Sequence, residues 1–304
     1  MSTRPHGNSS ASRLVIFGCG YVGAAVAEAA LALGWDVTAL TRNSDTALAL
    51  RTVGVRTFVA DIAGNAWHEQ VAASPEYVLN CVGAGGTGNA GYRHSYLGGM
   101  ESILRWTSRH PPLGTFVYTS STSVYPQDGG VMVHETAPTD ARNERGEILC
   151  ATERRLTKAT DMRRWFILRL AGIYGPGRHH LLDQVTAGVV AGPMDHHLNL
   201  VHRHDIVAAV MACFQAPPEV RNEIFNVVDD QPAAKADVVA WTAGKLGVPP
   251  PRGTGMVGGR GVAPDRIIAN GKLKRMLGWT PRYRGYREGY AEILGSNRLP
   301  DPGR

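Results

Sequence analysis

Leu14-Val15-Ile16-Phe17-Gly18-Cys19-Gly20-Tyr21-Val22-Gly23 decides the fold of this chain. An apolar run of strand length ends in G-x-G-x-x-G, and an alanine-rich stretch follows. Gly18 permits a tight turn, Gly20 lets backbone approach a pyrophosphate, and Gly23 lets a helix pack close on the strand. The helix start then offers free N–H groups and a positive dipole end to an anion. A plain strand–helix turn needs no three glycines at this spacing. The segment therefore predicts a dinucleotide site, with Tyr21 and Val22 beside the glycines.

The next strand indicates which dinucleotide. Asp36-Val37-Thr38-Ala39-Leu40 runs into Thr41-Arg42-Asn43. A site for NAD places an acidic side chain near the strand end, where it binds the ribose 2′-hydroxyl. None stands there, and Asp36 lies at the wrong end. Beside Thr41, Arg42 can grip a 2′-phosphate through charge-assisted hydrogen bonds worth ~1.5–3 kcal/mol. That is roughly a ten- to hundredfold preference for NADP(H) over NAD(H).

With 304 residues, 43% of them hydrophobic, the chain can bury a large core in one or two domains. No apolar run approaches the roughly 20 residues that span a bilayer. Met1 to Arg13 is polar, which predicts a flexible tail over 1–12 and no secretory signal. Cys19, Cys81, Cys150 and Cys213 are scattered, without C-x-x-C or zinc spacing, so reduced thiols and a cytoplasmic location are expected. From Arg252 to Arg304, 11 Lys/Arg face 4 Asp/Glu, which places the formal charge of +6 at this end. No aromatic residues interleave a basic motif there, so nucleic acid is not an expected partner.

Apolar runs alternate with helical patterns, as in a doubly wound, mostly parallel α/β sheet of the Rossmann type. Strands are expected near 13–17, 36–41, 56–59, 77–82, 115–120, 165–170 and 223–228. Helices are expected over 22–33, 45–53, 66–72, 91–108 and 147–159. Residues 13–172 and 200–230 form the dinucleotide-binding domain on this reading. Residues 173–199 and 231–296 form a smaller, C-terminal substrate-binding lobe, and 297–304 a tail.

Further segments accumulate along the chain. Val59-Ala60-Asp61-Ile62 follows the third strand, where an aspartate can take an adenine amino group. Asn80-Cys81-Val82-Gly83-Ala84-Gly85-Gly86 ends the fourth with small residues that let backbone pass close to a cofactor. Tyr118-Thr119-Ser120-Ser121-Thr122-Ser123-Val124-Tyr125-Pro126 ends the fifth. Arg169 to Arg178 (Arg-Leu-Ala-Gly-Ile-Tyr-Gly-Pro-Gly-Arg), Asn199 to Ile206 and Phe225-Asn226-Val-Val-Asp229 come after. In this order they resemble the extended short-chain dehydrogenase/reductases, which include epimerases and dehydratases of sugar nucleotides, over about 13 to 296. Arg266 to Asn270, Leu277 to Pro281 and Tyr286 to Gly289 resemble one atypical branch, named mostly as NAD(P)-dependent epimerase/dehydratase-like proteins.

The resemblance implies that Ser121 polarises a substrate carbonyl and that Ser123 lies beside the substrate. It places Ile173 and Tyr174 at the nicotinamide end, Tyr174 without a proton role. It also implies a Tyr-x-x-x-Lys proton relay, since a spacing of four puts both groups on one helical face. No such pair exists in the sequence. Aligned by Glu153, the helix carries Arg145 at the tyrosine position and Leu149 at the lysine position. Glu147, Tyr125, His134 or a fixed Arg145 cation are alternative partners for the reaction, and Arg145 also stands on the substrate side. A missing general acid costs ~10²–10⁴-fold in rate, which an imine, iminium or conjugated carbonyl suffers least.

Nucleotide-sugar enzymes carry an arginine for the diphosphate shortly before the segment that here begins at Val201. Leu198 and Leu200 occupy those places, which disfavours a sugar nucleotide unless Arg178 or the basic end substitutes. His179-His180, His196-His197 and His202/His204 suggest a metal cluster, but adjacent loop histidines rarely converge on one ion. No metal is expected, and His202 is read as lining the substrate pocket. Three functions remain open: an NADP(H)-dependent reductase of a small carbonyl- or imine-bearing metabolite, a non-catalytic NADP(H) sensor, and an epimerase or dehydratase. The resemblance also suggests a homodimer through helices 91–108 and 147–159, where Ile103, Leu104 and Trp106 could face a partner or the sheet.

Overall fold

β1 (Arg13–Phe17) is polar only at its first residue, and Leu14 to Phe17 are buried. Burial on both faces is what a central parallel strand requires. β1 lies between β2 (Asp36–Thr41) and β4 (Tyr77–Asn80), parallel to both, while β3 (Arg56–Val59) pairs with β2 and β5 (Leu113–Ser121) with β4. The computed structural model describes residues 11–71, 74–86, 88–109, 113–141, 143–160, 162–254 and 264–296. The tails expected at 1–12 and 297–304 fall outside these residues, save for 11 and 12.

The chain divides into two compact units. The described residues of Met1–Tyr118 and Arg155–Trp165 form the first, and those of Thr119–Arg154 and Phe166–Arg304 the second. In unit 1, α1 (Tyr21–Ala32), α2 (Ser44–Thr52), α3 (Gly88–Arg93) and α4 (Gly99–Thr107) accompany β1 to β4. In unit 2, β7 (Met162–Leu170) pairs in parallel with β11 (Glu223–Val227) through Phe166 to Leu170. Three short ladders join β6 (Val131–Val133) to β13 (Arg266–Ile268), β8 (Gly172–Tyr174) to β10 (Leu200–His202) and β9 (His197–Leu198) to β12 (Ala233–Ala234). α5 (Glu144–Thr157), α6 (His180–Thr186), α7 (Arg203–Phe214), α8 (Lys235–Leu246), α9 (Gly271–Leu277) and α10 (Tyr286–Ser296) complete the described helices. The large sheet has the parallel order β11-β7-β5-β4-β1-β2-β3, the doubly wound α/β architecture expected.

Two helical expectations change. Residues 66–70 form turns rather than an α-helix. The cause is anchoring: buried Trp67 donates its indole N–H to the Ile62 carbonyl at 3.2 Å, and buried His68 bonds Ser102 at 3.0 Å. The helix expected over 91–108 is interrupted by a π-helical turn, His94–Gly98, between α3 and α4. Gly99 follows it, where a Cβ would stand 3.0 Å from the Ile62 side chain, so the helix is pulled close onto the loop after β3. Ile103 and Trp106 are buried within unit 1, with Trp106 edge-on to Phe17 at 5.7 Å. Among the described residues no helix is long and apolar enough to cross a membrane.

Candidate active site

The glycine turn follows β1 at the point where the strand order reverses, the place where open α/β sheets bind ligands. Gly18 has φ +84°, and a Cβ there would lie 2.5 Å from the Val82 backbone. Both facts demand glycine. Gly20 faces open space, and a Cβ at Gly23 would press on Cys81 Sγ at 2.8 Å, so α1 packs tightly behind the turn. α1 has no side-chain cap at its N-terminus, which leaves its first N–H groups for an anion. This cradle fits a pyrophosphate.

The rim of unit 1 carries the charge. Arg42 is exposed, and its guanidinium lies over Gly85, where any Cβ would overlap it. The Asp61 carboxylate bonds His94 Nε2 at 2.7 Å and accepts the Ala63 N–H at 3.1 Å. Partial burial works against its ionisation, but the His94 bond, the Ala63 N–H and the charges of His94 and Arg42 outweigh it and hold its pKa below the ordinary value. Ile62 and Val82 are buried, Gly83 is exposed, and Thr41 Oγ1 accepts the Asn43 N–H at 3.3 Å. The sequence does not single out His94, which only the fold brings to Asp61; Gly85 is read there among the small residues after the fourth strand, without its contact to Arg42.

A cavity of about 350 Å³ opens instead at the amino ends of β1 and β2, lined by Arg13, Trp35, Asp36, Arg51 and Arg56. It lies at the opposite end of the strands from the glycine turn, and it is the turn's end at which open α/β sheets bind ligands.

In unit 2, Ser121 ends β5 and caps the short 3-10 turn Thr122–Val124. Its Oγ accepts the Ser123 N–H at 3.2 Å and shares a hydrogen bond with the Ser123 hydroxyl at 2.8 Å. Ser123 is exposed. Glu147 is exposed in the first turn of α5, Arg145 is half-buried there, and Arg178 is exposed in the tight turn closed by its backbone bonds to Gly175.

Tyr125 differs from its sequence reading as a proton donor. It is buried, donates its hydroxyl proton to Asn226 Oδ1 at 2.7 Å and accepts from Arg169 Nη1 at 2.8 Å. Burial pushes its pKa up against the pull of the Arg169 charge. Arg169 is in turn paired with Glu153 at 2.7 Å, and Ser120 donates to the same carboxylate at 2.6 Å. Glu135 Oε1 accepts the Asn226 N–H at 2.9 Å. A buried polar network of this kind fixes a phenol in place.

Ile173 is half-buried in β8, and Tyr174 is buried in the apolar core of unit 2, against Gly289, where a Cβ would overlap its ring. His202 ends β10 and has no exposed surface, because Tyr174, Tyr283 and His204 enclose its ring at centroid distances of 5.2, 4.0 and 5.0 Å. The expectation of an open pocket residue thus meets a core histidine. Burial, helped by the His204 charge, pulls its pKa down to about 4. Its Nδ1 accepts the His204 N–H at 3.3 Å, and its Nε2 stands 3.6 Å from Glu292 Oε2.

The sequence model of the NAD dependent epimerase/dehydratase family matches residues 14–227, from the glycine turn through β11. The chain belongs to that family. Protein YeeZ of Escherichia coli (strain K12) is 27% identical over 278 residues, covering 89% of this family member and 96% of YeeZ. The 3-diazoavenalumate denitrifying reductase of a Streptomyces species is 29% identical over 151 residues, 44% of this chain and 48% of the reductase. A crystal structure of UDP-glucose 4-epimerase with UDP-glucose, from Thermotoga maritima, matches with a TM-score of 0.81 at 18% identity, over 93% of this chain and 99% of that one. The last likeness is one of fold.

Proposed function

We propose that this epimerase/dehydratase family member is an NADP(H)-dependent oxidoreductase that reduces a small carbonyl- or imine-bearing metabolite. Gly18, Gly20, Tyr21, Val22 and Gly23 would hold the pyrophosphate, and Thr41 and Arg42 the ribose 2′-phosphate. Asp61, Ile62, Val82 and Gly83 would line the adenosine half, and Ile173 and Tyr174 would support the nicotinamide half. When bound, NADPH supplies the hydride.

One observation carries the reading, the hydroxyl pair at the end of β5. Ser121 and Ser123 share a hydrogen bond of 2.8 Å, and with Ser123 as its donor Ser121 has a proton to give to the oxygen or nitrogen of the acceptor. As that proton leaves, the Ser123 proton replaces it over 2.8 Å, and exposed Ser123 is reprotonated by water. A relay of neutral hydroxyls suits an acceptor that is already electrophilic, and it needs no Tyr-x-x-x-Lys pair. It does not suit epimerisation, which must remove a proton as well as return one. Arg169 and Asn226 hold the Tyr125 hydroxyl, which makes Tyr125 a positioning residue. Half-buried Arg145 and exposed Glu147 and Arg178 would select the substrate by charge. The part-length similarity to a reductase supports the same direction of chemistry.

Calorimetric titration with NADPH, NADP⁺, NADH and NAD⁺, then turnover on a panel of imines and activated carbonyls, tests this. Arg42→Ala should weaken NADPH about ten- to hundredfold and leave NADH nearly unchanged; equal losses would sink the 2′-phosphate assignment. Ser121→Ala should lower turnover ~10²-fold or more without weakening cofactor binding. The missing Tyr/Lys pair favours one second reading, an NADP(H) sensor, and tight binding without turnover on any acceptor would select it.

A further inference from the structure

Two histidines and a glutamate meet in unit 2. His202 lies at the end of β10, His204 in the first turn of α7, and Glu292 on α10. One ligand atom from each lies within 4.8 Å of the other two, and no other such trio occurs among the described residues. His202 Nε2 is fully buried and makes no hydrogen bond, although the Glu292 carboxylate stands 3.6 Å away. A histidine that served only as core packing or as a helix cap would turn this nitrogen to a partner. We propose that His202, His204 and Glu292 form a binding site for a single transition-metal dication, with zinc as the natural occupant.

The donor set and its spacing support this. Tetrahedral zinc with bonds of about 2.0–2.1 Å sets its ligand atoms roughly 3.3–3.5 Å apart. The His202–Glu292 separation of 3.6 Å lies just above that range, and the His204 ligand atom, within 4.8 Å of both, closes the trio by a side-chain rotation. Two imidazoles with one carboxylate select zinc, cobalt or nickel over magnesium and calcium, which prefer oxygen throughout. Arg203 and Arg282 lie close enough to oppose a cation, so binding depends on direct coordination by the two imidazoles and the carboxylate.

The surrounding side chains fix the ligands. Tyr283 bonds the Glu292 carboxylate and lies 3.4 Å from His204 Nδ1, while Tyr174 and Tyr283 hold the His202 ring. Such outer partners orient metal ligands and fix their tautomers. Coordination through His202 Nε2 moves the remaining ring proton to Nδ1, so the metal bond replaces the long 3.3 Å cap on the His204 N–H. His204 and Glu292 are only half-buried, which leaves a fourth position for water.

The test is equilibrium dialysis of the EDTA-treated full chain against zinc chloride, read by elemental analysis, with cobalt(II) spectra as a second readout. The wild-type chain should take up one tight equivalent and give the strong visible absorption of four-coordinate cobalt. His204→Ala and Glu292→Gln, both at partly solvated positions, should each weaken zinc at least tenfold and bleach the cobalt bands, with circular dichroism reporting that they fold. No tight zinc in the wild type would overturn the site. Zinc held equally by both folded variants would do the same, by assigning it to other histidines among the 11 in the chain.

Discussion

Two acid–base pairs close to the same 2.7 Å in this protein. Asp61–His94 stands on the rim of unit 1 with each side chain about half exposed, at 52%. Glu153–Arg169 lies in unit 2 at 6% and 4%. Equal distance does not make them equal. The rim pair is screened by water and replaceable by it, so it contributes little to stability and stays available to a ligand. The buried pair has given up its hydration, and each partner depends on the other and on Ser120 and Tyr125 to remain satisfied. The pair on the rim stays open to solvent, while the pair that holds a phenol in place is buried.

Breaking the buried pair should have the largest effect. Glu153→Gln leaves the Arg169 charge unpaired and should cost ~3–5 kcal/mol in urea unfolding; a loss below 1 kcal/mol would mean that water reaches the pair. Tyr125→Phe removes one partner each from Arg169 and Asn226 and should cost ~1–3 kcal/mol. If Tyr125 only braces Arg169 and Asn226, the variant keeps the wild-type pH profile of turnover; a displaced profile would restore the phenol as a proton donor.

Asp229 sharpens the comparison through pH. It is the same residue type as Asp61, but burial, with Asp230 and Asp205 adding to it against the Gln231 N–H, pushes it up to about 8. The folded state therefore keeps a proton that the unfolded chain releases above its ordinary value of 3.8. Stability from this group is present below that value and is lost as pH rises towards 8. Asp229→Asn keeps the acceptor for Gln231 and should flatten the fall in unfolding midpoint between pH 5 and 8; an unchanged slope would assign the fall to other groups. The depressed pKa of Asp61 has the opposite sign, favouring the fold above the ordinary carboxylate range and losing that support as pH falls through the folded value. Exposure makes this the smallest effect: Asp61→Asn should change stability by no more than ~0.5 kcal/mol at neutral pH.

Much of unit 1 is legible in the amino-acid sequence. The expected bounds of β1, β2 and β3 match the structure, because apolar runs bounded by turn residues are local signals. The glycine turn was legible for the same reason: a positive φ at Gly18 and the close approach at Gly23 are demands that one residue type meets. The helix expected at 66–72 failed because Trp67 and His68 are anchored by Ile62 and by Ser102, the latter distant in the chain. The roles of polar residues failed in the same way. Tyr125 reads as a strand-end tyrosine until Arg169 and Asn226 are seen to claim it, and His202 reads as a pocket histidine until three rings enclose it.

By itself, then, the sequence determined the parallel α/β frame, the phosphate turn and the absence of a Tyr-x-x-x-Lys pair, all matters of local pattern. Only the tertiary structure decided that Arg42 lies over Gly85, that Asp61 meets His94, and that Glu292 on the last helix faces His202 and His204. The physical reason is that burial, and with it the protonation and availability of a side chain, is set by neighbours that packing brings from distant parts of the chain.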